Sequence, residues 1–459
     1  MFRLFSPKCP LDTYEKTWTE SRMRWLSERF GIERMRRARI ILPTAEFFPD
    51  PFEQTFECVR RLMDRLCDYM AVDPGKLGLE ICDNDQLPGA AGHYDASGQP
   101  VIRIAASQLL DPERLVATLV HELSHEILLG GNVLKRTVSD HEWVTDLLPV
   151  YLGIGIFGAN ATVRHETKQV SGGWQWKIGK QGYLTSRVFG YAFALFAFMR
   201  GENDPEWAPY LRPDALVPLR QGLRFLRKSD DCLFHPDTIR SERTRISAYS
   251  LATRLQSASP TVRLSSLWEI KERKENEAIV VAAVSACLKD RDTAISAAAA
   301  ETLATLGAAA SSALPQLIFA LADHREQMRV SAARALGELR ADPNTVIPQL
   351  EPLLQDGNTK VAVEAALALR RFGGLAASSV PRVLAALRGA LTRCNHALIE
   401  ALAKTVAAIA ADPMLEVRDY FSEADPEMCR LALSAVEGPA QPAHKGTPAE
   451  ESTGGGPVA

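Results

Sequence analysis

Apolar residues fall at helical spacing through most of the chain, and in the C-terminal half the spacing itself repeats. Pro315, Pro348 and Pro381 are 33 residues apart, in ALPQLIFAL, VIPQLEPLL and SVPRVLAAL. Leu303, Leu336, Leu369 and Leu402 keep the same period, as do Ala300, Ala333 and Ala366, and Leu306, Leu339 and Phe372. A constant period of this size predicts a stack of two-helix units that bury their apolar faces against their neighbours. The proline suits the first turn of a helix, where its missing N–H costs nothing. The alanines let the partner helix come close, and Asp290, Asp323 and Asp356 mark the turn inside each unit. An earlier unit begins near Val262, 33 residues before Ile295, so the pattern predicts four to five units.

Upstream the periods are mixed. YEKTWTESRMRWLSERFG and FEQTFECVRRLMDRLCDYM read as helices, whereas KLGLEICD and QPVIRIAAS read as strands. The intervening NDQLPGAAGHYDASG is full of turn formers, and His93 within it reads as a loop residue. Asp111-Pro112-Glu113 is a strong helix start: an N-cap, a first-turn proline and a first-turn acid. The helix that follows carries Leu115, Val116, Leu119, Val120, Leu123 and Ile127 on one stripe and ends at Gly130-Gly131. The segment from Asp204 to Pro260 reads as connecting helices, with QSASP as the junction to the repeats. The expected fold class is an α+β N-terminal domain over 1–258 and an all-α solenoid over 262–436, mostly helical overall. Residues 437–459, rich in Pro, Gly, Ser and Thr, have almost nothing to bury and are expected to be disordered.

Composition narrows the partners. Basic and acidic side chains number 53 and 56, a net charge of −3, which gives no reason to expect nucleic acid or a membrane. The Arg-rich stretch Ser21 to Arg39 carries Met23, Trp25, Leu26, Phe30, Ile32 and Met35 at near-helical spacing, so it reads as a solvated helix face. The eight Cys form no C-x-x-C pair and read as reduced thiols, mostly buried. MFRLFSPKCPLD has no signal-peptide core, and the runs around Leu147 to Phe157 and Phe189 to Met199 are shorter than the roughly 20 residues of a bilayer span. The expectation is a soluble, cytoplasmic protein.

The chemistry is concentrated in VHELSHEILLG, Val120 to Gly130. His121 and His125 lie four residues apart on one side of a helix, a spacing from which two imidazoles reach one tetrahedral zinc. Glu122, next to the first of them, can hold and deprotonate a zinc-bound water. A third ligand is needed, and the next helix offers Glu142 and Asp146 on one face. Glu142 can ligate, and Asp146 can accept the outer N–H of a ligand His. Alternatives stand beside this. Ser139 to Glu142 also fits a capping box, which would make Glu142 structural, and His141 or Asp146 could be the third ligand instead. For stabilising an oxyanion the candidates are His165, Tyr183 and Tyr191; Tyr183 is preferred because Gly182 allows a close backbone approach.

HELSH followed by E-x-x-x-D resembles the gluzincin metallopeptidases, the clan of thermolysin, over about 80 residues. The resemblance implies a zincin-like domain in which His121, His125 and Glu142 bind Zn2+. It makes Glu122 the general base and Asp146 the partner of a ligand His. It also implies that the strand near Val101 to Ala105 is the cleft-edge strand against which an extended peptide pairs. Sixteen residues separate His125 from Glu142, fewer than in thermolysin, which suggests a compact variant. The 33-residue units resemble short HEAT repeats over about 175 residues, which implies a curved stack with a concave partner-binding surface. The functional expectation is zinc-dependent peptide hydrolysis, with a protein partner on the solenoid. The alternative is a non-catalytic interaction scaffold with an inactive or structural zinc site. A self-cleaving regulator with the tail as its substrate is a third expectation.

Overall fold

The computed structural model describes residues 7–170, 173–180, 182–234, 247–421 and 426–437, without the side chains of 163–170 and 173–180. The expected disordered tail lies outside the described residues. The chain divides into two compact units, Met1–Ser266 and Leu267–Ala459, and is mostly helical.

The first unit opens with α1 (Thr13–Phe30) and α2 (Ile32–Arg36), separated by Gly31 at φ +90°. Met23, Leu26 and Met35 are buried, and the arginines between them pair with acids: Arg22 with Asp140, Arg24 with Glu28, Arg36 with Glu33. Next come α3 (Phe56–Met70) and a small sheet of β1 (Gly78–Cys82), β2 (Gly92–Asp95) and β3 (Val101–Ala105). The order is β1-β3-β2, with β1 parallel and β2 antiparallel to β3. Two expectations are corrected here. The Val101–Ala105 strand is central, between edge strands β1 and β2, and β2 lies in the stretch read as turn formers. His93 sits on that strand opposite Arg103 rather than in a loop. Gly-His-Tyr-Asp is poor in β-formers, so pairing with β3 and the burial of Tyr94, not local propensity, make it a strand.

α4 (Pro112–His125) starts as expected, with the Asp111 side chain accepting from the Arg114 N–H. Leu115, Val116, Leu119, Val120 and Leu123 are buried. The helix does not run regularly to Gly130. Residues Glu126–Gly130 form a π turn, closed by the Gly131 N–H on the Glu126 carbonyl. The wider turn advances the buried face by one residue, so Leu128 enters the core in place of the expected Ile127. α5 (His141–Leu152) and α6 (Ile156–Ala161) follow, then a hairpin of β4 (Val163–Val170) and β5 (Gly173–Lys180). α7 (Ser186–Met199), buried nearly throughout, packs on α8 (Pro213–Leu226), and α9 (Ala248–Arg254) leads to α10 (Pro260–Arg273), which contains the boundary of the units.

The second unit continues with the pairs α11 (Ala278–Cys287) and α12 (Thr293–Leu306), α13 (Leu314–Ala320) and α14 (Glu326–Leu339), and α15 (Pro343–Leu350) and α16 (Thr359–Phe372). After them come α17 (Val380–Thr392) and α18 (His396–Ile409), then α19 (Pro413–Phe421) and α20 (Pro426–Glu437). Every Leu and Ala of the 33-residue rows is buried, and Phe372 with them. The aspartates do cap the turns: Asp290, Asp323 and Asp356 accept from the N–H groups of Asp292, Arg325 and Asn358. Neighbouring units are tied by Arg325 to the Asp290 carbonyl at 2.8 Å and by a bidentate Arg329–Asp356 pair at 2.8 and 2.9 Å.

One repeat departs from the pattern. Pro315 and Pro381 start helices, but Pro348 lies inside α15. The cause is the residue closing the preceding helix. Gly307 and Gly373 take φ near +58° with ψ near −138°, open to glycine alone, and a 3-10 turn follows each. The equivalent Arg340 turns through the left-handed helical region instead, as does Asp342, and the next helix starts early, at Pro343. Thr293–Ala320 is long and apolar enough, by composition, for a bilayer-crossing helix. It folds instead at Gly307 into two helices of the stack.

Candidate metal centre

The site is built by α4, α5, β2 and the turn before α7. His121 and His125 project from the C-terminal end of α4, and Glu142 from the first turn of α5. Their ligand atoms all lie within 4.8 Å of one another. Glu142 Oε2 is 3.4 Å from His121 Nε2 and 3.4 Å from His125 Nε2. It is buried and makes no hydrogen bond of acceptable geometry to either ring. A tetrahedral zinc with bonds of about 2.1 Å has edges of about 3.4 Å. The two oxygen–nitrogen separations therefore match the edges of a tetrahedral zinc site, and the oxygen is an acceptor that the protein alone leaves unsatisfied. The donor set fits the metal.

The supports behind these atoms are specific. Asp146 Oδ1 lies 2.8 Å from His121 Nδ1, and its Oδ2 accepts from the N–H groups of Tyr183 and Leu184 at 2.6 and 3.0 Å. The Asp146 carboxylate thus orients one imidazole and anchors the turn before α7. Gly182, at φ +82°, makes this approach possible: a Cβ there would stand 3.1 Å from Asp146 Oδ2. Thr145 Oγ1 reaches His125 Nδ1 at 3.4 Å while donating to the His141 carbonyl.

The capping-box expectation fails. The N-cap of α5 is Asp140, not Ser139, so Glu142 occupies the second helical position. The Asp140 carboxylate is taken by Trp18 Nε1 and by a bidentate contact with Arg22, from α1. Glu142 is then free to face the imidazoles. His141 is turned onto the Val138 carbonyl through Nδ1, with Nε2 3.1 Å from Glu142 Oε1, so it contacts the Glu142 carboxylate from behind.

Charge follows from burial and neighbours. Burial opposes ionisation of Glu142, but the two imidazoles outweigh it and hold the carboxyl well below its usual range. Burial likewise opposes a charged His121, yet Asp146 and Glu142 hold it well above its ordinary value. His125 is pushed down by burial and is the more readily neutral of the pair. Glu122 is almost wholly buried, and that burial pushes its carboxyl up to about 7. A carboxylate that titrates near neutrality is suited to take and return a proton.

The oxyanion candidates separate. Tyr191 is buried in the core and donates to Glu20 Oε1 at 2.6 Å, so it is not part of the site. The His165 side chain lies outside the described residues. Tyr183 is 49% exposed, and its ring stacks on His121 with centroids 6.0 Å apart. Other groups here escaped the sequence reading. Tyr94 stacks on His125 at 6.3 Å and donates its hydroxyl to Glu126 Oε2 at 2.5 Å. The alternation in Gly92-His93-Tyr94, just before a clear strand, was the available signal. Gly92 is needed where it is: a Cβ would meet Thr118 Cγ2 at 2.7 Å and Glu122 Oε1 at 2.8 Å.

Comparison with known proteins reaches the second unit. Residues 314–408, from α13 through most of α18, match the family of HEAT repeats. Among solved structures, the chain is similar to an engineered protein at 20% identity and TM-score 0.32, over 41% of this chain and 95% of that one. It is similar to the designed armadillo repeat protein YIII(Dq)4CqI at 17% identity and TM-score 0.32, over 42% and 99%. The complex of CpcE and CpcF of phycocyanin lyase from Nostoc sp. PCC7120 matches at 18% identity and TM-score 0.23, over 43% and 97%. No curated protein matches the chain. Residues 314–408 of the second unit thus match HEAT repeats, within a helical repeat array.

Proposed function

We propose that the first unit is a zincin-like, gluzincin-type domain that hydrolyses peptide bonds with zinc, and that the repeats bring it a substrate or a protein partner. The observation that carries this reading is the pair of 3.4 Å separations from the unsatisfied Glu142 Oε2 to the two imidazoles, with Glu122 buried one residue from His121. His121, His125 and Glu142 would hold the metal. When bound, zinc supplies Lewis acidity, polarising a carbonyl and acidifying water. Glu122 takes a proton from the attacking water and delivers it to the departing amine. Asp146 and Thr145 keep the imidazole nitrogens aimed at the metal. Tyr183, exposed beside His121, would donate its hydroxyl to the developing oxyanion.

The HEAT match favours a second reading, an interaction scaffold whose zinc site is inactive or structural. Glu122 speaks against it, because a structural site gains nothing from a buried base. Two measurements separate the readings. Metal analysis of the purified protein is expected to give about one zinc per chain; a stable protein with negligible zinc affinity sinks the enzyme. Glu122→Gln is expected to keep the zinc and lose hydrolysis by at least the 100-fold typical of a general base. Wild type and variant equally inert on a broad peptide library would leave the scaffold.

A further inference from the structure

The β2 edge carries a cation that the proposed chemistry does not use. In the antiparallel pairing the Ala105 N–H bonds the Ala91 carbonyl, so residues 93 and 95 also face β3, while 92 and 94 turn their backbone groups to the open edge. At Tyr94 the outward carbonyl accepts from Arg136 Nη2 at 3.0 Å. Arg136 is exposed, and among the described residues it pairs with no carboxylate, whereas Arg22, Arg103, Arg325 and Arg329 all do. Its position is held by its loop. The Val133 and Leu134 N–H groups both bond the Leu128 carbonyl, at 2.9 and 2.8 Å, and Leu134 is buried. Tyr94, whose carbonyl the guanidinium holds, stacks its ring on His125 with centroids 6.3 Å apart.

We propose that Arg136 is a specificity residue that recognises a carboxylate of the peptide near the scissile bond. This rests on the peptidase reading for what the carboxylate belongs to. An extended chain along β2 must pass the Tyr94 carbonyl and therefore the guanidinium. Arg136 spends one N–H on Tyr94 and keeps the others for a planar, bidentate partner, the geometry in which Arg binds carboxylates. Two sources share that chemistry: an Asp or Glu side chain, and the free C-terminus of a short peptide.

The test uses the zinc-loaded full chain and a fluorogenic peptide library. Positions flanking the scissile bond carry Asp or Glu against Asn or Gln, and each peptide is made with a free or an amidated C-terminus. The expected result is a KM at least tenfold lower for one carboxylate series, lost in Arg136→Ala and partly restored in Arg136→Lys. A preference that follows the side chain identifies the acidic residue; one that follows the free terminus identifies the peptide end. No preference, or a preference that survives Arg136→Ala, overturns the proposal. The same peptides are titrated calorimetrically into zinc-loaded Glu122→Gln, which requires no turnover. Carboxylate-dependent binding there without hydrolysis by wild type sustains the Arg136 site and overturns the peptidase; carboxylate-independent binding, or none, overturns the site.

Discussion

At the residue scale the candidate metal centre depends on which atoms are left with nothing else to do. Glu142 could have capped its helix, but Asp140 takes the cap position and is itself held by Trp18 and Arg22, so the Glu142 carboxylate is released toward the imidazoles. Asp146 uses both of its oxygens, one on His121 Nδ1 and the other on two backbone N–H groups. Removing it in Asp146→Ala frees the ring and the turn before α7 together. We expect a 10- to 100-fold loss of zinc affinity, read by competition with a chromophoric chelator, the usual cost of losing a carboxylate behind a ligand His. Affinity unchanged within twofold would mean that Asp146 only braces the turn. The candidate ligands were legible because helical spacing puts i and i+4 on one side whatever the tertiary fold. Tyr94, Thr145 and Arg136 were not, because each reaches the site from a segment whose own pattern says nothing of what it faces.

At the scale of elements, the repeats were readable and their exceptions were not. The buried Leu and Ala rows follow from a period that survives in every unit. The irregular third turn follows from one residue, Arg340, which lacks the backbone region open to Gly307 and Gly373. Gly307→Ala would force a Cβ into that region, and we expect a loss of about 1–3 kcal/mol, measured by urea denaturation. The capping aspartates give a pH-dependent counterpart. Hydrogen bonds from Arg325 hold the Asp323 carboxyl down at about 2, against an ordinary 3.8. A depressed carboxyl contributes stability that is present above its ordinary value and lost as pH falls through its folded one. Asp323→Asn should therefore destabilise the repeats at pH 7, and the gap from wild type should shrink below about pH 4 and close near pH 2. A gap constant between pH 7 and 2.5 would show that the carboxylate charge is irrelevant there. In the first unit the π turn is the comparable exception: the apolar stripe of α4 predicted Ile127 inward, and one inserted residue puts Leu128 there.

At the scale of the whole molecule, each compact unit has a core of its own, so metal and repeats are expected to separate in their energetics. Stripping zinc with a chelator should lower the calorimetric transition of the first unit, by about 2.7 kcal/mol relative to zinc at 100 times its Kd. The transition of the repeats should stay in place. Both transitions moving together would mean that the units unfold as one. What the sequence by itself determined is whatever repeats or recurs along one helix: the 33-residue array, the start of α4 at Asp111, and His121 and His125 four residues apart on one side of α4. These are local, and periodicity reports local geometry directly. Only the tertiary structure decided that β3 is central and β2 an edge, that Asp140 releases Glu142, that Tyr191 belongs to the core, and that Arg136 stands over the Tyr94 carbonyl. Each of those depends on a partner from a distant part of the chain, whose approach is set by packing and by buried groups that must find a bond.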